Sequence, residues 1–119
     1  MLTIRKQQLE ALRRHMRTQF EANMVSHLRF TFPTQTKPME GEGLRDLVQH
    51  GMARADQYGI TSERDIRRYL EYMVMYGADF DIAPEMPWIG KILNDASLSV
   101  PQKLDRLDDY DTFVFKGKR

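Results

Sequence analysis

Tyr58-Gly59-Ile60-Thr61-Ser62-Glu63-Arg64-Asp65 is the stretch that decides the fold class of this 119-residue chain. Glycine enters the left-handed conformation that ends helices at no steric cost, and Ile60 can fold back as the apolar contact that closes such an end. Thr61 or Ser62 then offers a hydroxyl to cap the following helix. Asp65 stands three residues after Ser62, the spacing of a capping box. One helix therefore stops and another starts within a tight corner.

On both sides of this corner the apolar residues recur at steps of three and four, which puts them on one face of a helix. Upstream, Leu44, Leu47, Val48, Met52 and Ala55 define a helix over about 43–58. Downstream, Ile66, Tyr69, Leu70, Met73 and Val74 define another over about 62–76, ended by Gly77. Pro87 suits the first turn of a short helix over about 87–94 that turns Trp88, Ile89, Ile92 and Leu93 inward. Ser99 and Gln102 make a second capping box, opening a helix over about 100–110 that carries Leu104 and Leu107. The first helix is the longest. Leu9, Leu12, Met16, Phe20, Met24 and Leu28 share one face, Thr3 is placed to cap it, and neither Gly nor Pro interrupts residues 4–30. Phe32-Pro33 closes it, because a residue before proline is pushed out of the helical region. Residues 33–43, with Pro33, Pro38, Gly41 and Gly43, read as a loop. The expectation is an all-α fold: a compact bundle of about five helices with a long N-terminal helix, one domain over residues 1–112, and a short basic tail over 113–119.

Composition narrows the function classes. Hydrophobic residues make up 41% and charged residues 29%, a globular balance. No apolar run approaches the ~20 residues that span a bilayer, and the N-terminus lacks the apolar stretch and small-residue cleavage site of a secretory signal. The absence of cysteine excludes disulfides, thiol catalysis and thiolate metal sites, and fits a cytoplasmic protein. Charge is uneven: residues 1–38 carry +5 and residues 39–119 carry −4, which return the net +1.

No reactive constellation emerges. His15 and His27 are twelve residues apart on one helix, about 18 Å at 1.5 Å per residue, too far for one metal. His50 lies four residues after Asp46 and is expected to touch it. Asp79, Asp81 and Glu85 form the best acidic cluster, but they lack the spacing and glycine of a calcium loop; capping neighbouring backbone amides is the expected role. Gly41-Glu42-Gly43 is not a phosphate loop, and there is no nucleophile elbow. No metal, cofactor or catalytic residue is expected. The corner at Thr61 invites comparison with DNA-reading helix-turn-helix motifs. Arg64, Arg67 and Arg68 are offset there by Glu63, Asp65 and Glu71, so nucleic acid is not the expected partner. Of eight methionines, Met16, Met24, Met52 and Met73 fall on core-like stripes. Trp88 is expected at the centre of the core.

The run Tyr58–Asp65, followed by Tyr69, Gly77, Asp79-Phe80-Asp81, Pro87-Trp88, Ile92-Leu93 and Asp105-Arg106-Leu107, resembles a group of small helical proteins of Gram-negative bacteria. The opening residues Ile4-Arg5, Gln7-Gln8, Phe20 and Met24-Val25 are similar as well. Proteins of this group are encoded beside type VI secretion spike proteins, adaptor-chaperones and toxic effectors. The likeness covers about residues 2–107, with Ala83-Pro84-Glu85-Met86 departing from the group's more usual connector. It implies a non-enzymatic accessory or co-chaperone that helps an adaptor hold and load an effector. The matching residues are caps, turns and core positions and carry no functional role over. The long first helix is the expected contact: Leu9, Leu12, Met16 and Phe20 against an adaptor-chaperone or effector, with Arg13 and Arg17 at the rim. The other possibilities for that stripe are the domain's own core and a homodimer seam. The alternative functions are an immunity protein that binds and inhibits a toxin, and a small nucleic-acid binder using the basic first helix.

Overall fold

A computed structural model describes residues 5–110, and they are all-α. The helices are α1 Lys6–Thr31, α2 Pro33–Thr36, α3 Gly43–Gln57, α4 Glu63–Tyr76, α5 Pro87–Leu93 and α6 Val100–Tyr110, with a 3-10 turn at Phe80–Ile82. No strand occurs among the described residues. The proposed Thr3 cap and the 113–119 tail lie outside them. The residues fall into two compact units, one ending at Gln49 and the other beginning at His50.

In the first unit, α1 runs 26 residues, about 39 Å at 1.5 Å per residue. At its start the Gln8 side chain accepts from the Arg5 backbone N–H at 3.2 Å. Proline at the first helical position begins the single turn of α2 inside the segment expected to be a loop. That turn is tied down by side chains: Thr36 Oγ1 donates to the Phe32 carbonyl at 2.7 Å, and Arg29 donates to the carbonyls of Thr36 at 3.2 Å and Met39 at 2.7 Å. The buried Glu21 carboxylate accepts from Gln49 Nε2 at 3.1 Å and lies 3.6 Å from Arg45 Nε.

In the second unit the corner forms as its sequence dictates. Gly59 has φ +77, its N–H bonds the Asp56 carbonyl at 3.0 Å, and the Ile60 N–H reaches the Ala55 carbonyl at 2.9 Å. Those two bonds are the pair of a Schellman cap, and Ile60 is buried against it. Ser62 Oγ accepts from the Asp65 N–H at 3.2 Å, which settles the cap on Ser62. Both halves of the second box are made: the Ser99 N–H donates to Gln102 Oε1 at 2.8 Å, and the Gln102 N–H donates to Ser99 Oγ at 3.3 Å. α4, α5, α6 and the 3-10 turn pack on one another around Tyr69, Leu70, Met73, Phe80, Ile89, Leu93, Leu104 and Leu107, all essentially inaccessible to solvent. Two glycines permit close approach. A Cβ on Gly51 would overlap Leu70 Cδ2 and Met73 Sδ, so α3 and α4 meet at a bare backbone. A Cβ on Gly90 would come within 3.0 Å of the Asp81 carbonyl, which holds the 3-10 turn against α5. Trp88 is not the core centre. It is half-buried and stacks on Tyr110 at 4.7 Å between ring centroids.

Candidate protein-binding surface

The two halves of α1 behave differently. In the second half Phe20, Glu21, Met24 and Leu28 are buried. In the first half Leu12 is 53% and Met16 59% exposed, while Leu9 is half-buried. Met16 is therefore a surface residue and not the core methionine its spacing suggested. Phe20, expected at the same contact, is buried within the chain, so the exposed row ends at Met16.

Helical geometry explains the change. At about 3.6 residues per turn, the row Phe20–Met24–Leu28 winds slowly round the helix. The positions that prolong this buried face toward the N-terminus are Arg17, Arg13, Glu10 and Lys6. Charged side chains on that line cannot enter a core without partners, so the core stops. Leu9, Leu12 and Met16 lie roughly a quarter-turn to one side. Each of the four charged residues is exposed. The result is an apolar row with a basic edge (Lys6, Arg13, Arg17, with Glu10 among them) and, opposite it, an edge without acidic residues formed by Gln8 and Gln19 with His15 between them, all three exposed.

A second concentration of polar groups lies in the other unit, around the 3-10 turn. Asp81 is fully buried at its side chain, and its Oδ2 accepts from Arg54 Nε at 3.1 Å, from Arg54 Nη2, and from the Tyr58 hydroxyl at 2.6 Å. Asp81 Oδ1 and the buried Tyr69 hydroxyl have no hydrogen-bond partner. Burial, and then the nearby Asp81 charge, push the Tyr69 phenol well up from its ordinary value. Tyr58 is pushed up by burial and by its hydrogen bond to Asp81. Asp79 stands 3.5 Å from His50 Nε2. His50 thus faces Asp79 and not Asp46. Asp79 and Asp81 thus face side chains of α3 and Tyr58 and not backbone amides: Asp79 precedes the 3-10 turn without a side-chain cap bond, and Asp81 Oδ2 is taken by Arg54 and Tyr58. An open recess of about 360 Å³ beside them is lined by Tyr76, Asp79, Phe80, Ile82 and Glu85 among others.

Arg68, considered above for DNA, is committed within its own unit. Its Nη2 donates to Asp105 Oδ1 and Asp108 Oδ2, each at 2.8 Å, and Asp108 also accepts from the Tyr72 hydroxyl. Sequence reasoning missed this α4–α6 network, although Arg68 and the Asp105/Asp108 pair were visible as complementary charges on two helices. Among the described residues no group of three His, Cys, Asp or Glu side chains is placed to hold a metal ion. No helix among them is long and apolar enough to cross a membrane. Comparison of the chain with protein-family models, with curated proteins and with solved structures gives no match.

Proposed function

We propose that this chain is a non-enzymatic protein-binding accessory, a co-chaperone that assists an adaptor in stabilising and loading a type VI secretion effector in the cytoplasm. The observation that carries the binding role is the row on the first half of α1 in which Leu12 and Met16 are exposed and Leu9 is half-buried. Large apolar side chains aligned along one helix and left in water are what a helix-in-groove or helix-pairing contact covers. The secretion setting comes from the likeness of the Tyr58–Asp65 corner and the Pro87-Trp88 connector to the accessory group. The buried Asp81 carboxylate of the connector is held by Arg54 and Tyr58, which supports a structural role for it within the second unit.

The test is co-expression of the tagged chain with the products of the adaptor and effector genes beside its own. The expected result is co-elution and a higher steady-state level of effector. Leu12→Glu with Met16→Glu should abolish both without lowering the melting temperature. Failure to recover either neighbour, with effector levels unchanged in cells lacking the chain, overturns the proposal. Rescue of cells expressing the toxin alone would replace loading with immunity.

A further inference from the structure

The same α1 row also carries information about what covers it. Resting on the reading that this row is a binding site, we infer that its occupant is an amphipathic helix of another protein with an acidic edge, and not a second copy of this chain. The argument is charge complementarity. Lys6, Arg13 and Arg17 form one border of the row, with Glu10 the one acid along it, and all four are exposed. Among the described residues no ion pair involves the three cations. A helix laid along the row must run beside this border at helix–helix distance, about 8–10 Å between axes, well within reach of long side chains. Acidic residues on its facing edge would pair with all three cations.

Self-pairing does not provide this. Two copies packed antiparallel about a two-fold axis bring the same border face to face, because such an interface is isologous. Six cations would then meet two acids. Parallel copies would lay the basic border on Gln8, His15 and Gln19, which offer no negative charge. Nucleic acid would satisfy the cations but has nothing to cover Leu12 and Met16. An anionic membrane would accept both, but the row holds no aromatic residue and only three large apolar ones, a small anchor for an interfacial helix.

The probe is a synthetic amphipathic peptide of about three heptads with leucine at the core positions and glutamate along both edges. A second peptide replaces every glutamate by glutamine. Binding to the full chain is followed by backbone amide shifts of α1 in NMR spectra. At low salt the glutamate peptide should bind at least about tenfold more tightly, and 1 M salt should erase the preference, since the Debye length falls to about 3 Å. Lys6→Glu/Arg13→Glu/Arg17→Glu should abolish the preference and leave the melting temperature unchanged. Leu12→Ser/Met16→Ser should weaken both peptides alike. Equal binding of the two peptides, or a preference that survives the triple charge reversal, overturns the inference about the partner's charge and leaves the row a binding site. Loss of neither peptide on Leu12→Ser/Met16→Ser overturns the site itself. A dimer in light scattering that Leu12→Ser/Met16→Ser dissolves would make the occupant a second copy. Salt-sensitive retention on duplex DNA or anionic vesicles, without any peptide preference, would likewise overturn the inference.

Discussion

Replacing Arg54 by methionine strands a carboxylate inside the second unit. The Asp81 side chain is inaccessible to solvent, and Arg54 supplies two of the three donors to its Oδ2 and the only positive charge among them. Breaking a buried pair by removing one partner costs about 3–5 kcal/mol, because the remaining charge keeps its desolvation penalty. Arg54 itself is 21% exposed, so part of the pair already feels water, and the lower end, ~3 kcal/mol, is the expected loss. Asp81→Asn removes the charge from the buried side and leaves a guanidinium that can turn toward solvent. That substitution should cost less, about 1–3 kcal/mol. The two changes together should cost less than their sum, with a coupling of about 1–3 kcal/mol. Urea unfolding followed by far-UV circular dichroism measures each corner of this cycle. In thermal melts the Arg54→Met loss should appear as a fall of at least ~12 °C, at about 4 °C per kcal/mol for a domain of this size. If the double variant equals the sum of the singles within ~0.5 kcal/mol, the two groups are not coupled and this account of the cluster is wrong.

Four further outcomes are expected. Gly51→Ala should destabilise by about 1–3 kcal/mol through overlap with Leu70 and Met73, outweighing the ~1 kcal/mol of helix propensity that alanine normally brings; a stabilised variant in urea melts would refute the close approach. Tyr69 and Tyr58 have phenol values raised above the ordinary 10.0, so their neutral forms favour the folded state below that pH. That contribution is lost as pH climbs through the raised values, so alkaline melts should fall steeply for the wild type and less for Tyr69→Phe, whose neutral-pH stability should not decrease because the hydroxyl has no partner. Leu12→Ser/Met16→Ser should leave stability within ~0.5 kcal/mol. Leu28→Ala, at a fully buried position of the same helix, should cost about 2–5 kcal/mol in the same assay.

The helices and their ends were legible because local chemistry specifies them. Gly59, Ser62, Ser99 with Gln102, and Pro87 act through bonds to residues within a turn or two, and that range is visible in a linear sequence. Burial along α1 was only half legible. A step of three or four marks Leu9 to Leu28 as one face, but it does not say where along the helix the core ends. The charges at Lys6, Arg13 and Arg17 held that information, since they occupy the line on which the buried face would have continued. Long-range polar pairing was not legible. Asp81 with Arg54, His50 with Asp79, and Arg68 with Asp105 and Asp108 join residues far apart in sequence, and a choice between Asp46 and Asp79 for His50 needs the path of the connector. Gly51 gave no turn signal, because its role is an absent side chain at a helix crossing.

The exposed first half of α1 has a thermodynamic consequence. Between Arg5 and Gln19 no side chain is buried, so those turns draw little support from tertiary packing. Helical segments shorter than ~12–15 residues are marginal in water on propensity alone, and most helical stability in proteins comes from a packed face. A partner seated on Leu9, Leu12 and Met16 would provide that face. Part of its free energy would go into tightening the helix beneath it, so the complex would be weaker than its contact area suggests and readily released.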